Sequence, residues 1–537
     1  MIEEKIQNLI EGDVEIDEKI LDLYSEDKSI FKIKPKLVVF PKNVEDVKKI
    51  VNLANKEKFS ITPRSAGTDM SGGSVTDEIL IIFTKYFNHF EIDFENKKAI
   101  VEPGVYFRDF EKELNKYNLM LPSYPASKEI CALGGMIANN SGGEKTLQYG
   151  KTEDYINSLN VVLSDGNEYH FKKLNKKELE EKFSLNNFEG EIYRKVYNLI
   201  KENFELIQKK KPIVKKNSAG YNIWKVFDGE YFDLTKLFVG SQGTLGIITK
   251  AELKLVEKLK YEKLIIVFIY DLLKIPEFLN KTLPLKPTSL EITDDHTFKI
   301  YLKFAKEMAE ILGAKGIFKT IKLFLPEFLM ILKRGIPKLI VLTEFESDNE
   351  AELKEKVKEF KKICEELKLM YRAPQNELET QKYWKLRRDT YKLLREKIKD
   401  RLAAPFIDDI IVNPEYFPEF IPKLTKILDE SKLLYTISGH LGDGNLHIIP
   451  LLDMKKEKEK IFPTMEKVYD LVLEYKGSFT AEHNDGLIRG YYLKKLFGEE
   501  IYNIFVEIKK IFDPNNIFNK GKKIDVDLDF VKSHIKT

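Results

Sequence analysis

The chain has two cysteines, two tryptophans and no long apolar run among its 537 residues. Cys131 and Cys364 cannot build a disulfide framework, and alone they cannot ligate an iron–sulfur cluster. The longest apolar stretches, near 264–270 and 323–331, are too short to span a bilayer. Charge of one sign is also missing: 88 Lys+Arg stand against 86 Asp+Glu, without the basic excess of a nucleic-acid binder. The start, Met1-Ile2-Glu3-Glu4-Lys5, lacks the basic opening and apolar core of a signal peptide, so a cytoplasmic protein is expected. There is no internal repeat and no low-complexity linker. What is present is length enough for roughly two to four domains, with ample apolar content for their cores.

Residues 1–30 read as short amphipathic helices rich in Glu and Asp. From Pro35 strands and helices alternate with Gly-rich crossings until about 256: a strand Leu37-Val38-Val39-Phe40, a helix from Asn43 to Lys56, strands at 79–83 and 99–102, and a helix at about 106–117. A second α+β region at 260–475 has strands expected at 263–269, 338–345, 405–412, 432–438 and 446–451, and helices at about 350–369 and 378–399. The segment 316–337 is apolar and basic. Its favoured reading is a helix packed on a sheet with lysines outside; the alternative is an amphipathic membrane-surface helix. From Glu482 onward the chain reads as helical.

Three glycine-rich loops stand in the first region. They are Pro63-Arg64-Ser65-Ala66-Gly67-Thr68-Asp69-Met70-Ser71-Gly72-Gly73, Leu133-Gly134-Gly135-Met136-Ile137-Ala138-Asn139-Asn140-Ser141-Gly142-Gly143 and Gly240-Ser241-Gln242-Gly243-Thr244-Leu245-Gly246-Ile247-Ile248-Thr249. Glycine lets backbone N–H groups approach phosphate oxygens, because no Cβ blocks the way. None matches the P-loop or the Rossmann fingerprint. One such loop alone is more often a set of tight turns; three together point to a long phosphate-bearing cofactor.

Three of the seven histidines fall between 440 and 483. Gly442, Gly444 and an Asp-Gly pair separate His440 from His447, which argues for a hairpin rather than one helix face. Directly paired across such a hairpin, their Cβ atoms would lie about 5 Å apart, within reach of one cation. Glu482 adds an oxygen, giving three protein ligands and an open position. His483 is adjacent and suits a proton acceptor, although adjacent residues in a strand point to opposite faces. The backbone must therefore turn there, and Asn484-Asp485-Gly486 suits a turn.

Together these motifs resemble the flavoprotein 2-hydroxy-acid dehydrogenases of the vanillyl-alcohol-oxidase superfamily, from about Pro35 to Lys522. Glu102-Pro103-Gly104-Val105 and Pro122-Ser123-Tyr124-Pro125-Ala126-Ser127 add to the likeness. The resemblance implies an α+β fold: a two-part FAD-binding domain at 35–257 and a substrate (cap) domain with an antiparallel sheet at 258–480. An N-terminal helical segment (1–34) and a C-terminal helical segment (481–537) that completes the active site flank them. It implies FAD held by Pro63 through Thr68, Ser71, Gly72, Pro125, Ser127, Gly134, Gly135, Asn139, Asn140, Ser141, Gly243, Ile247, Ile248 and Asn519. Within that set Arg64 through Ser71 would contact the pyrophosphate, 134–143 would border the flavin ring, and Ile247 and Ile248 would lie near the adenine. Loop 63–73 has no histidine or cysteine to tether the flavin, so non-covalent FAD is expected.

The same resemblance implies a divalent metal, often zinc, on His440, His447 and Glu482, with His483 as general base and Arg387 clamping the substrate carboxylate. A D-lactate- or glycolate-like acid would become the 2-oxo acid as hydride passes to FAD. Four departures stand out. Gln242 replaces a common Glu, Asn484 a common Gly. Ile449 stands where the hydroxyglutarate enzyme has an asparagine, and its distal lysine has no match in Ala404-Pro405-Phe406-Ile407-Asp408-Asp409, which weakens a dicarboxylate assignment. Tyr221 is as open to a packing role as to a substrate contact. The expected acceptor is an iron–sulfur partner, an electron-transfer flavoprotein or a quinone, in a homo-oligomer with peripheral membrane contact possible. An oxygen-using oxidase, a non-catalytic flavin subunit and a metallohydrolase with purely structural loops remain alternatives.

Overall fold

The chain is described from a computed structural model covering residues 2–303, 317–397 and 401–537. The first sheet has four strands in the order Asp13–Glu15, Leu37–Phe40, Ile79–Ile82, Ile61–Arg64, the last three mutually parallel. Leu37–Phe40 and Ile79–Ile82 are buried throughout, the continuous apolar pattern of a parallel sheet covered on both faces. Helix Val44–Glu57 covers one face with Val47, Ile50, Val51 and Ala54, and Asn43 caps it by accepting from Asp46 N–H. The N-terminal stretch, expected to be helical only, also contains the edge strand Asp13–Glu15. Its approach is fixed by the Asp46 carboxylate, which accepts from Glu11 and Gly12 N–H.

A second sheet of five antiparallel strands runs Phe90–Asp93, Lys98–Val101, Ile247–Lys254, Ile156–Val162, Glu168–Lys172. Lys98–Val101 alternates exposed and buried residues and the edge strand Phe90–Asp93 half-buried and exposed ones, as a sheet with one wet face should. Helix Glu499–Phe512, near the C-terminus, packs Phe505 and Ile508 into the core of this first unit beside Tyr221 and Trp224.

The second unit is built on a larger antiparallel sheet whose order is Met370–Arg372, Tyr261–Ile269, Leu339–Ser347, Ser289–Asp294, Leu434–His440, Asn445–Leu452, Leu402–Ala403, with Ile410–Ile411 also on Asn445–Leu452. Helices Ile275–Thr282, Glu350–Glu366, Phe417–Glu430 and Ile461–Glu474 bury one face. Helices Ile317–Arg334 and Glu377–Lys397 lie on the other. That double cover explains why Leu339–Ser347 is buried along its whole length. The stretch expected as one strand at 405–412 pairs only at Ile410–Ile411. Ser289–Asp294, unread in the sequence, is a central strand.

Helix Ile317–Arg334 packs on the sheet with Lys333 outside, as expected, but its outer face also carries apolar side chains. Met330 and Glu327 turn inward, while Leu325, Phe328, Leu329 and Leu332 face solvent, the last 68% exposed. Among the described residues no helix is long and apolar enough to cross a membrane.

Candidate active site

Leu434–His440 and Asn445–Leu452 form the expected hairpin, but with a shifted register. His440 lies opposite Asn445, and His447 opposite Ser438. The two histidines are therefore diagonal neighbours on one face. The tight turn sets this register: Gly444 has φ +82°, and a Cβ there would sit 1.9 Å from the Val412 carbonyl oxygen.

The diagonal still brings ligand atoms together. His440 Nε2 and His447 Nε2 are 3.1 Å apart, and Glu482 Oε1 is 3.1 Å from the first and 3.4 Å from the second. Atoms about 2.0–2.1 Å from a tetrahedral zinc stand roughly 3.3 Å from one another. The opposite edges of the rings face carboxylates. His440 Nδ1 is 2.6 Å from Glu291 Oε1. His447 Nδ1 is 3.3 Å from Asp408 Oδ1, a contact too bent for a strong hydrogen bond, yet neither atom bonds elsewhere. With the Nδ1 protons committed outward, two lone pairs and a carboxylate oxygen converge on one point. Such a point suits a cation, and carboxylate-backed imidazoles are the usual outer support of one. Asp409, His447, Glu482 and His483 also cluster within 4.8 Å. The Asp409 carboxylate, however, is already engaged by the backbone, so the His440–His447–Glu482 set is the better fit.

Asp409 explains how Glu482 and His483 can be neighbours and both face the site. Its Oδ2 accepts from Ala481, Glu482 and His483 N–H at 2.8, 2.8 and 2.7 Å, and from Thr480 Oγ1 at 2.5 Å. The chain curls around one buried oxygen. Asn484 then takes a left-handed φ of +68°, where the family's glycine would sit without strain. Its side chain compensates by donating to the Gly240 carbonyl and accepting from Lys523. Gln242 donates to Ser71 Oγ and accepts from Gly486 N–H, 2.9 and 2.8 Å respectively. A glutamate could only accept there, competing for the hydroxyl proton that Ser71 gives to Asp69, and it would set its charge against that carboxylate, so the neutral amide matches these partners.

Glu291, Asp408, Asp409, Asp443 and Glu482 outnumber Lys151, Lys216 and Arg387 around this point. Burial opposes the charge of Glu482, but Lys216 and His440 hold its carboxyl well below the usual range. Burial also opposes charging of His483, yet the Asp409 and Asp408 carboxylates outweigh it and raise the imidazole to about 9. Burial pushes Lys151 down to about 8. A surplus of negative charge is what a dication offsets.

Arg387 and Arg388 are not solvated helix charges. Arg387 lies 2.9 Å from Glu291 Oε2, and its buried Nε has no hydrogen-bond partner among the described residues. Arg388 grips both oxygens of Glu144 and lies over the Trp384 ring.

One cavity of about 770 Å³ connects this cluster with the glycine-rich loops. Pro63 through Thr68, Pro125, Ser127, Gly134, Gly135, Asn139, Ser141, Gly243 and Ile248 line it, together with Arg387, His440, His447, Glu482 and His483. The Arg64 guanidinium instead ties its loop to the Tyr24 and Glu26 carbonyls. Ser71, Gly72, Asn140, Ile247 and Asn519 stand behind the wall. Asn519 donates to the Gly73 and Gln242 carbonyls and so positions two loops. Tyr221 is core, bonded to Thr244 Oγ1 and packed on Phe505. At Gly134 a Cβ would meet Ser65 Oγ at 2.7 Å, whereas at Gly135 it would meet nothing nearer than 3.9 Å and would project into free space. That groove, lined by small residues and backbone, fits a dinucleotide.

Sequence reasoning missed Asp408, Asp409 and Glu291. The first two had a signal: adjacent aspartates inside the apolar run Phe406-Ile407-Asp408-Asp409-Ile410-Ile411 break the local pattern, and such breaks concentrate at functional sites.

Comparison with known proteins bears on the cofactor. Residues 35–172 match the FAD binding domain family, and residues 275–523 match the family described as FAD linked oxidases, C-terminal domain. The chain is 29% identical over 519 residues to D-2-hydroxyglutarate dehydrogenase of Escherichia coli (strain K12), covering 93% of this chain and 49% of that protein. It is 27% identical over 495 residues to D-lactate dehydrogenase of Archaeoglobus fulgidus, covering 91% of each. The chain thus spans about half the length of the first curated relatives it matches. In fold it is similar to 4-ethylphenol oxidase from Gulosibacter chungangensis, with a TM-score of 0.70 at 17% identity over 97% of this chain and 96% of that one.

Proposed function

Because the chain has both domains of the FAD-linked oxidases, we propose that it oxidises a 2-hydroxy acid to the 2-oxo acid and passes the electrons to a separate acceptor. The observation that carries this reading is the single cavity joining the glycine-rich groove to the His440–His447–Glu482 cluster. When bound, FAD supplies a hydride acceptor, and a divalent metal, zinc in this proposal, supplies a Lewis acid for the substrate hydroxyl. His440, His447 and Glu482 hold the metal. Arg387 offers its spare Nε–H to the substrate carboxylate. In its neutral form His483, with Nδ1 on Asp408, presents its other ring nitrogen to take the hydroxyl proton. The two aspartates confine that form towards pH 9 and above, so flavin reduction should quicken as the pH rises towards that value.

FAD is held without a covalent bond. Cys131 lines the cavity, but burial pushes its thiol up to about 12, too weak an acid to serve as a nucleophile. The substrate side chain is short and uncharged, as in glycolate or D-lactate. Beyond His447 the sheet continues with Thr436 opposite Ile449, and Ile449 joins Ala403 and Leu451 in an apolar cluster against Met70 and Ile300.

Anaerobic mixing with a panel of D- and L-2-hydroxy acids tests the reading. The yellow flavin should bleach with a short acid, a chelator should slow bleaching at least about 10-fold, and zinc should restore it. No bleaching after reconstitution with FAD would sink the proposal. Peroxide release during turnover would favour an oxygen-using oxidase instead.

The acceptor is reached at a membrane surface in this reading. Leu325, Phe328, Leu329 and Leu332 form one exposed stripe, ending in exposed Lys333 and Arg334. The protein should sediment with anionic vesicles and not with neutral ones, and Phe328→Glu with Leu332→Glu should abolish sedimentation. Equal binding by that double variant would remove the stripe from the account.

A further inference from the structure

Asp408 is fully buried, and one carboxylate there meets two imidazoles. Its Oδ2 is 2.6 Å from His483 Nδ1, and its Oδ1 is 3.3 Å from His447 Nδ1. The two rings lie nearly parallel, 4.9 Å between centroids at 19°, so both present the same edge to it. Among the described residues His447 Nδ1 has no hydrogen-bond partner, and its other neighbouring carboxylate oxygen, on Asp409, is 4.0 Å away. The backbone holds this arrangement from the other side. Arg489, fully buried, donates Nη2 to the Asp408 carbonyl at 2.7 Å and Nη1 to the Asn484 carbonyl at 2.8 Å. The segment bearing Asp408 is thereby clamped to the turn bearing His483.

We propose that Asp408 is a positioning residue that fixes the tautomer of His447 and His483 together. A carboxylate has two accepting oxygens, and each faces one Nδ1. In the neutral form both rings then keep their proton on Nδ1, facing the carboxylate, and leave the Nε2 lone pair on the cavity side. One ring uses that lone pair toward the metal site, the other toward the substrate proton. Asparagine in place of Asp408 keeps the shape but has one accepting oxygen and an NH₂ group. One of the two rings must lose its acceptor, move its proton to Nε2 and point an N–H into the cavity. The inference rests on the reading of His483 as the base.

The test begins with the wild-type holoenzyme carrying ¹⁵N-labelled histidine imidazoles. At a pH above the raised value of about 9, where the ring is neutral, His483, identified by difference from His483→Ala, should show a protonated Nδ1 and a bare Nε2. A proton on Nε2 with Nδ1 bare at that pH would overturn the proposal whatever the variants do. Asp408→Asn should then move one of the two rings to the opposite tautomer. It should either lower zinc affinity by about 10–100-fold or slow flavin reduction by about 100-fold or more at saturating substrate, with substrate affinity within threefold. Flavin content should stay at wild-type level. Zinc affinity and reduction rate both within threefold of wild type would refute the role. If Asp408→Asn does not fold, the wild-type tautomer decides. If no 2-hydroxy acid bleaches the wild type, the proposed function fails separately, while zinc titration and tautomer still judge Asp408.

Discussion

His483→Ala should leave the protein yellow and stop it bleaching. The imidazole lines the cavity beside the proposed metal ligands, and its removal takes away the acceptor for the hydroxyl proton. General-base catalysis contributes typically about 100- to 10,000-fold, so the rate of flavin reduction should fall within that range. Flavin retention should be unchanged, because the groove that fits the dinucleotide is built from other segments. Metal content should also persist, since His440, His447 and Glu482 converge without His483. Small imidazole in the medium should recover part of the rate through the space left behind. Anaerobic stopped-flow absorbance checks each point. Reduction within tenfold of wild type would mean that another group takes the proton.

How far the sequence could lead depended on the range of the interaction. The hairpin bearing His440 and His447 was legible because glycines and alternating apolar residues act locally. Its register was not. The diagonal placement follows from the fit of Gly444 against Val412, a contact between segments more than thirty positions apart. Helix Val44–Glu57 showed its cap and its spacing directly. Strand Ser289–Asp294 showed neither, since it is buried on both faces and its Glu291 is tolerable only beside His440 and Arg387. The same holds for Arg387 itself. A Lys/Arg-rich helix reads as solvated until the partner carboxylates, distant in sequence, are placed around it.

Asp409→Ala should cost more than any substitution of a ligand, because it removes the post around which the ligand turn is wound. Three consecutive backbone N–H groups, Thr480 Oγ1 and Asn445 Nδ2 converge on this carboxylate, all buried but the half-buried His483 N–H. Burial opposes its ionisation, and the facing imidazoles of His483 and His447 still hold its carboxyl below the usual range. Truncation leaves those donors unpaired in a site that water reaches poorly, a loss of about 3–5 kcal/mol. Thermal unfolding followed by circular dichroism should show the melting midpoint fall by several degrees. The loss should be local before it is global. The turn at 480–483 should open, so Glu482 no longer meets His440, and bound zinc should drop well below one per chain while the flavin stays. Asp409→Asn keeps one accepting oxygen and should fall between the two. Glu482→Gln makes the informative contrast: it removes a metal ligand without unpairing the turn, so it should lose zinc with little change in melting temperature. If Asp409→Ala keeps both its zinc and its melting temperature, the turn is held by something other than this carboxylate.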